Sequence, residues 1–316
     1  MLWFVKLFYL IKAFIPRGLQ LFLRRRLVRI QLRDCSSVWP INRSAAKIPE
    51  EWQGWPDNKQ FAIVLTHDVE KVKGYKKVRQ LAELDMKSGF RSSFNLIPER
   101  YKDDPELRAW LVKNGFEVGV HDLKHNGKLF SSPLTFEKSA VKINQYIKHW
   151  NAKGFRSGAM HHNLEWIGKL DISYDASTFD TDPFEPQADG VNTIFPFYFK
   201  PDGCKGDGFV ELPYTLMQDF TLFVIMREKT NHIWKEKLDW IAANGGMALL
   251  IVHPDYLNMG TGQTGNEEYP AERYTDFLLY VKEKYAGRYW NALPSEIAEY
   301  IRKGKLHPKN DCQAVL

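Results

Sequence analysis

FAIVLTHDVE, residues 61–70, is the stretch that decides the fold. Its first five residues are all apolar, which predicts a strand buried on both faces, as in a parallel sheet. The strand ends in a polar cluster that includes Asp68 and Glu70. Because these acids are two positions apart in an extended chain, their carboxylates point to the same side and repel unless a cation or a shared proton joins them. The cluster is therefore either a solvated strand end or part of a site.

Strand and helix patterns alternate after this stretch. Strand patterns recur at 92–97, 116–120, 155, 172–174 and 247–252, and helical patterns at 71–88, 105–114 and 135–153. Such alternation predicts an α/β protein with a parallel sheet or barrel, and 316 residues suit one α/β barrel with insertions. Between 184 and 220 the alternation gives way to turns and shorter strands (193–199 and 209–213), which indicates a β-rich insertion.

We expect four segments along the chain. They are basic amphipathic N-terminal helices over 1–33, a linker with several Pro and Gly over 34–59, the barrel over 60–303 and a tail over 304–316. The three cysteines, Cys35, Cys204 and Cys312, lie far apart without a CxxC pair. This usage indicates reduced thiols and a cytoplasmic protein.

The net positive charge is confined to residues 1–33. This segment holds eight Lys or Arg and no acid. Subtracting these eight from the total of 44 leaves 36 basic residues against 38 acidic ones in the rest of the chain. The body therefore has no basic excess, and nucleic-acid binding is not expected.

The N-terminal segment also has an apolar face. Apolar residues recur at helical spacing among the arginines, at Leu19, Phe22, Leu23, Leu27 and Ile30. One interpretation is a helix that binds an anionic membrane surface, which would make the protein peripheral on the inner face of the membrane. The alternative is a helix whose apolar face packs on its own barrel. Residues 1–15 are too short and too charged to span a bilayer, which takes about 20 apolar residues.

Two histidines follow the third predicted strand, in the sequence HDLKH at 121–125. If this segment is helical, the imidazoles of His121 and His125 share a face and can bind one ion. A carboxylate from the first strand would complete a set of two nitrogens and one oxygen with a position open to water. That is the ligand count of a catalytic zinc site.

Polar residues end three further predicted strands. Arg156 follows the strand at 155, Asp175 and Asp180 follow the strand at 172–174, and His253 follows the strand at 247–252. Taken singly, each has a structural explanation as a surface, turn or capping residue. Five polar clusters at the carboxyl ends of five parallel strands instead indicate an active site, because barrel active sites gather at that end.

The order of these clusters resembles the polysaccharide deacetylase family, which is the chitooligosaccharide deacetylase type of carbohydrate esterase. The matching elements lie within roughly residues 60–256 and are THDVE at 66–70, HDLKH at 121–125, GFRSG at 154–158, YDASTFD at 174–180 and VH at 252–253. The resemblance implies a distorted, incomplete (β/α) barrel. It also implies a hydrolase that removes acetyl groups from sugars with a divalent metal, usually zinc.

The resemblance implies a ligand set for the metal. His121 and His125 match the two metal imidazoles, and Glu70 falls where the family has its metal carboxylate. That carboxylate is nearly always Asp, so Glu70 is one methylene longer. Gly158 stands where the family usually has Pro, which implies a differently shaped loop after Arg156.

The resemblance also implies the catalytic roles. Asp68 matches the base that activates water, Arg156 the arginine that orients this base, and His253 the general acid. The carboxylate that would hold His253 is either Asp175 or Asp180, and the sequence does not decide between them.

We therefore expect a metal-dependent deacetylase that acts on an N-acetylated sugar in a polysaccharide, a cell-surface glycan or its precursor. Two alternatives are a C–N hydrolase of a small cyclic amide and a catalytically inert barrel that binds glycan at a membrane. Several side chains near the motifs could contact a sugar, with core packing as the alternative for the aromatic ones: Trp166, Trp240, Tyr256, His161 and His162. The oligomeric state cannot be derived from the sequence.

Overall fold

The computed structural model describes residues 15–35, 37–50, 52–202, 207–260 and 262–304. The described strands are β1 (Phe61–Val69), β2 (Ser92–Leu96), β3 (Glu117–His121), β4 (Gly154–Arg156), β5 (Tyr174–Asp175), β6 (Phe197–Phe199), β7 (Phe209–Glu211), β8 (Met247–Val252), β9 (Leu257–Asn258), β10 (Tyr269–Pro270) and β11 (Tyr289–Asn291). The described α-helices are α1 (Arg17–Asp34), α2 (Val72–Tyr75), α3 (Val78–Ser88), α4 (Pro105–Lys113), α5 (Pro133–Trp150), α6 (Leu164–Ile167), α7 (His232–Ala243), α8 (Glu272–Lys284) and α9 (Pro294–Gly304). A π-helix spans Phe220–Ile225.

One curled sheet organises the fold, with β1 at its centre. One edge of β1 pairs in parallel with β8, and the other edge pairs in parallel with β11 at its start and β2 at its end. From β2 the sheet continues through β3, β4, β5 and β7, all parallel, to the antiparallel edge strand β6. Beyond β7 the chain comes beside β8, where Leu216 forms a parallel bridge with Leu250. The α/β architecture and the incomplete (β/α) barrel are thereby confirmed.

The side chains of β1 alternate between two apolar layers. Phe61, Ile63 and Leu65 belong to the cluster between the sheet and the helices. Ala62 and Val64 belong to the second cluster, which they form with side chains of β5, β7 and β8. All nine residues of β1 are buried, as the continuous apolar run predicts. The same alternation places His67 toward the helices, where its Nε2 lies 2.8 Å from Asp85 of α3.

Several elements differ from the predicted boundaries. The helix predicted over 71–88 is divided into α2 and α3, and α3 stops at Gly89, whose φ of 85° is left-handed. Gly74 in α2 lies against Asp255, and a Cβ there would be 2.2 Å from the Asp255 carboxylate. Of the two strands predicted for the β-rich insertion, β7 joins the main sheet and β6 forms its edge.

Helix α1 packs on the barrel through one face. Leu21 and Val28 are buried in the core, and the Arg25 guanidinium donates to the Val224 carbonyl at 3.0 Å. Residues of the predicted linker also pack inward, since Ala45 and Trp55 are buried. Residues 1–14 and 305–316, with Cys204 and Cys312, lie outside the described residues, whereas Cys35 is buried as a free thiol. No helix in the described ranges has the length and apolar character that crossing a bilayer demands.

Candidate active site

The carboxyl ends of the parallel strands bring the predicted polar clusters to one rim of the barrel. β1 delivers Asp68, β3 ends at His121, β4 ends at Arg156, and His253 follows β8 directly. Register explains this grouping, because Asp68 pairs with Asn95 of β2 and His121 pairs with Arg156. Four of the predicted site residues therefore meet, although they are far apart in the sequence.

Asp68 is held as an ionised carboxylate. Its Oδ1 accepts hydrogen bonds from Asn95 Nδ2 at 2.8 Å and from Arg156 Nη1 at 3.0 Å. Burial alone would raise the pKa of Asp68, but the positive charges of Arg156 and His253 and the Asn95 hydrogen bond hold it well below its usual range. Both hydrogen bonds reach Oδ1, so Oδ2 is the oxygen that can take a proton from water.

Arg156 fixes this carboxylate from inside the barrel. It is fully buried, its Nε donates to the Ala176 carbonyl at 2.7 Å, and its Nη1 also donates to Thr66 Oγ1 at 2.7 Å. A buried guanidinium with these fixed partners cannot leave Asp68 without exposing an unpaired charge to the core. The expected contact between Arg156 and Asp68 is present.

The HxxxH segment is not helical, so the condition under which its spacing would place both imidazoles on one helix face is not met. His121 is the last residue of β3, while Asp122 and His125 adopt left-handed φ angles of 56° and 49°. The Asp122 carboxylate accepts the Leu123 N–H and closes the turn. The loop still brings the two imidazoles together, with ring centroids 4.9 Å apart. Gly158 permits this loop, since a Cβ there would lie 2.9 Å from His125 Cδ2.

The donor chemistry around His121 fits a divalent metal. His121 Nδ1 lies 3.1 Å from the Arg156 carbonyl oxygen, an arrangement that makes Nδ1 the protonated nitrogen. The opposite nitrogen, Nε2, is buried and has no hydrogen-bond partner. Burial lowers the pKa of His121 to about 4, against the opposing charge of Asp68, so the ring is neutral and its Nε2 lone pair is available as a ligand.

The third predicted ligand, Glu70, lies against His125. Its Oε1 is 3.4 Å from His125 Nε2, and its Oε2 accepts a 2.6 Å hydrogen bond from the Tyr256 hydroxyl. Burial would raise the pKa of Glu70, but the charges of His125 and His253 and the Tyr256 hydrogen bond lower it to about 2. As the side chains stand, no three His, Cys, Asp or Glu residues of the described chain surround a common point at metal-ligand distance. The donor types fit a metal, and the three-ligand arrangement remains a prediction.

His253 has a carboxylate partner that the sequence did not identify. Its Nδ1 lies 2.6 Å from Asp219 Oδ1, and its backbone N–H donates to Asp219 Oδ2 at 2.8 Å. Burial lowers the pKa of His253, but the charge and hydrogen bond of Asp219, with the charges of Glu70 and Asp68, raise it to about 10. The ring is therefore an imidazolium at neutral pH.

The expected partners of His253 lie elsewhere. Asp175 accepts hydrogen bonds from Ser177, while Asp180 binds Lys237 of α7 with Oδ1 3.0 Å from the ammonium nitrogen. Both acids are fully buried, and neither reaches His253. The prediction that Asp175 or Asp180 supports His253 is wrong, because Asp175 binds Ser177 in its own loop, Asp180 binds Lys237 of α7, and Asp219 holds His253.

Three further residues, Asp219, Asn95 and Asp255, contact the predicted site residues. The sequence contains a signal for the first two of them. Asp219 follows the mostly apolar stretch 212–217, in which Tyr214 bridges to Phe179 and Leu216 bridges to Leu250 of β8, so it is one more polar residue after a stretch that joins the sheet. Asn95 lies within the predicted second strand. Asp255 accepts the Glu70 N–H at 2.9 Å, and no sequence pattern indicates this contact.

A cleft of about 610 Å³ opens at this rim. Glu70, His125, His253 and Tyr256 line it, whereas Asp68 and His121 are only 2% exposed. Of the other predicted sugar contacts, Trp166 and Trp240 pack against the core. Helix α1 forms part of the wall.

Comparison with known proteins agrees with this architecture. The sequence matches no protein-family model and no curated protein sequence. Among solved structures, a protein from Mycobacterium smegmatis named as a polysaccharide deacetylase aligns with a TM-score of 0.64 at 18% identity, over 85% of this chain and 99% of that one. The Puue allantoinase aligns at 0.61 with 13% identity, over 80% of this chain and 94% of that chain. A Pseudomonas aeruginosa PAO1 protein, also named as a polysaccharide deacetylase, aligns at 0.59 with 13% identity, over 79% and 93%.

These likenesses confirm the resemblance at the level of the fold. The chain has the incomplete barrel of the polysaccharide deacetylases, over most of its length and nearly all of theirs. At 13–18% identity the likeness extends to the fold alone. The activity must therefore be argued from the residues of this site.

Proposed function

We propose that this protein is a metal-dependent hydrolase that removes acetyl groups from N-acetylated sugars. The observation that carries the proposal is the opposite protonation of two groups at one rim. Asp68 is an ionised carboxylate, and His253 is an imidazolium. A pair of groups whose pKa values are driven apart in this way supplies a general base and a general acid at the same pH.

The base is prepared by its surroundings. Arg156 and Asn95 hold Oδ1 of Asp68, so Oδ2 can accept the proton of an attacking water. Proton transfer to a positioned group of this kind contributes about 10²–10⁴-fold to the rate. His121, His125 and Glu70 would hold the metal, for which zinc is the first choice given two imidazoles and one carboxylate. The chemistry that such an ion supplies is polarisation of the acetyl carbonyl and a lowered pKa for water.

The acid is needed for the leaving group. An amide nitrogen departs poorly unless it is protonated, and His253 can donate its Nε2 proton while Asp219 holds Nδ1. After transfer, the neutral imidazole would regain a proton readily, because Asp219 stabilises the charged form. A deacetylase acting on amides requires this acid more than an esterase does.

The cleft volume favours a sugar over the alternative of a small cyclic amide. About 610 Å³ is within the range of sites for drug-sized ligands and exceeds what one small ring fills. Its lining is also polar and charged, with cations such as Lys71 and Arg100 beside the acids, which suits a hydroxyl-rich or anionic glycan.

Acetate release tests the proposal. The purified chain, loaded with zinc, is incubated with N-acetylglucosamine oligomers and with a small cyclic amide, with and without a chelator. Chelator-sensitive acetate release from the oligomers is expected. Ring opening of the cyclic amide without acetate release would favour the alternative hydrolase, and no reaction with either would favour an inert binding barrel.

A further inference from the structure

We infer that α1 binds an anionic membrane surface through its outward face, which brings the candidate active site to a membrane-anchored substrate. The membrane contact is independent of the chemistry at the site. The nature of the substrate rests on the proposed function.

Helix α1 has two different faces. Leu21 and Val28 are 4% and 2% exposed against the barrel, and Gln31 donates to the Pro183 carbonyl at 3.0 Å. On the opposite side, apolar side chains spaced at helical intervals are 48–59% exposed: Leu19, Phe22, Leu23, Leu27 and Ile30. The docked and membrane-binding interpretations of this helix are therefore compatible, because each uses a different face.

The charge of the outward face identifies its partner. Arg26, Arg29 and Arg33 are exposed on the same side of the helix as the apolar row, and the one acid of α1, the exposed Asp34 at its end, leaves the helix strongly cationic. A second copy of this chain would bring like charges together, and residues 1–14, with two lysines and no acid, do not complement the arginines either. Anionic headgroups beside an apolar layer match both features of the face.

The inward side of the same helix lines the candidate active site. Arg17, Gln20 and Arg24 belong to the wall of the cleft, one helix thickness from the outward face. An α-helix with side chains is about 10–12 Å across, so a membrane bound to the outward face lies close to the cleft. This position suits an N-acetylated sugar that is anchored in the same membrane, and the cations of the wall favour an anionic group near that sugar.

Vesicle sedimentation of the full chain tests the membrane contact. Wild-type protein is expected to bind vesicles of phosphatidylglycerol and phosphatidylcholine in equal parts and to bind pure phosphatidylcholine much less. The triple variant F22S/L27S/I30S should bind about tenfold more weakly or worse, since it removes most of the exposed apolar row. Changing Arg26, Arg29 and Arg33 to Gln should weaken binding to the anionic vesicles about fivefold per cation removed.

Matched controls change equally exposed residues on other helices. Val112, Leu134 and Val141 are 59–62% exposed on α4 and α5, and their replacement by Ser should leave vesicle binding unchanged. The inference is overturned if the α1 triple variant binds like wild type, or if only deletion of 1–14 abolishes binding. It is also overturned if the triple variant converts a dimer into a monomer, because the face would then join two copies.

The substrate is tested by presentation of one sugar in two forms. The rate of hydrolysis is measured for a lipid-anchored N-acetylated sugar in anionic vesicles and for its soluble counterpart. The ratio of the first rate to the second should fall about tenfold in the α1 triple variant. An unchanged ratio overturns the membrane-anchored substrate. If the wild-type chain hydrolyses neither form, the proposed function fails while the vesicle-binding result stands by itself.

Discussion

The Asp219 carboxylate contacts His253 at two atoms: Oδ1 lies 2.6 Å from the imidazole Nδ1, and Oδ2 accepts a 2.8 Å hydrogen bond from the backbone N–H of His253. The Tyr269 hydroxyl donates to the same carboxylate at 2.8 Å, so Asp219 cannot rotate away. This contact determines which form of His253 faces the cleft, because a fixed anion on Nδ1 leaves Nε2 as the proton donor.

Replacing Asp219 by Asn should lower the pKa of His253 from about 10, because the largest contribution that opposes burial is lost and only the charges of Glu70 and Asp68 remain. The protonated fraction of this imidazole at pH 8 should fall in D219N, and the alkaline limb of the activity profile should move to lower pH. Titration of the His253 ring by NMR checks this. Asp180→Asn is the control, since Asp180 binds Lys237, and equal shifts in both variants would contradict the assigned contact.

The same pair should make stability depend on pH. The pKa of His253 is about 10 in the folded protein against about 6.5 for a histidine in the unfolded chain, so the folded state binds this proton more tightly. The stabilisation is fully present below about pH 6.5 and is lost as the pH rises through about 10. The difference in free energy of unfolding between wild type and His253→Gln should therefore shrink from pH 6 to pH 10 in urea titrations. A difference that grows with pH would reverse the sign assigned here.

Substitutions of Asp68 and Glu70 should have different effects on turnover and metal content, because Asp68 is proposed as the base and Glu70 as a metal ligand. Asp68→Asn keeps the shape but cannot accept a proton, so turnover should fall by about 10²–10⁴-fold while metal content stays near wild type. It also leaves the buried Arg156 without its counter-charge, at a cost to stability of about 3–5 kcal/mol, so turnover must be expressed per folded molecule. Glu70→Gln should instead lose metal and recover part of its activity when zinc is added. Full turnover by metal-loaded D68N would refute the mechanism.

Sequence reasoning succeeded where the signal is local. The continuous apolar run of β1 predicts a strand buried on both faces, and polar residues after each parallel strand predict one shared rim. These two rules bring Asp68, His121, Arg156 and His253 together without knowledge of the strand order. The family resemblance added the expected contact of Arg156 with Asp68.

The sequence did not predict those features of the site that depend on contacts between distant elements. The spacing of His121 and His125 is the same in a helix and in a left-handed loop, so only the φ angles of Asp122 and His125 distinguish them. Asp175 and Asp180 stand close to a motif in sequence, but Ser177 and Lys237 turn them away from His253. Asp219 lies beside a π-helix, and its only sequence signal is the mostly apolar stretch before it, so its contact with His253 appears only once the chain beyond β7 meets β8.

Purified protein should hold about one divalent ion per chain, because one open three-ligand site is proposed. His121→Ala and His125→Ala should each empty it, the first because it removes the unpartnered Nε2. Elemental analysis after dialysis gives the stoichiometry. His149→Ala and His232→Ala, both at exposed positions, serve as controls and should retain the ion. Stoichiometric metal in both site variants would show that the site lies elsewhere.

Gly158→Ala tests whether the loop beside His125 is shaped for ligation. A Cβ at Gly158 would lie 2.7 Å from Asp122 Oδ2 and 2.9 Å from His125 Cδ2. Both distances are below 3.0 Å, so the substitution must displace the Asp122 carboxylate and the His125 ring. Misplacing a ligand in this way should weaken metal binding about 10–100-fold, as loss of a supporting contact does.

Metal titration of the apo-protein measures this change, and thermal melting shows whether the fold survives the overpacking, which should cost about 1–3 kcal/mol. The control is Gly262→Ala, since a Cβ there meets nothing within 4 Å. If G158A binds metal like wild type while its melting temperature falls, the close approach of Gly158 serves packing only. The position from which His125 reaches the ion would then not depend on its close contact with Gly158.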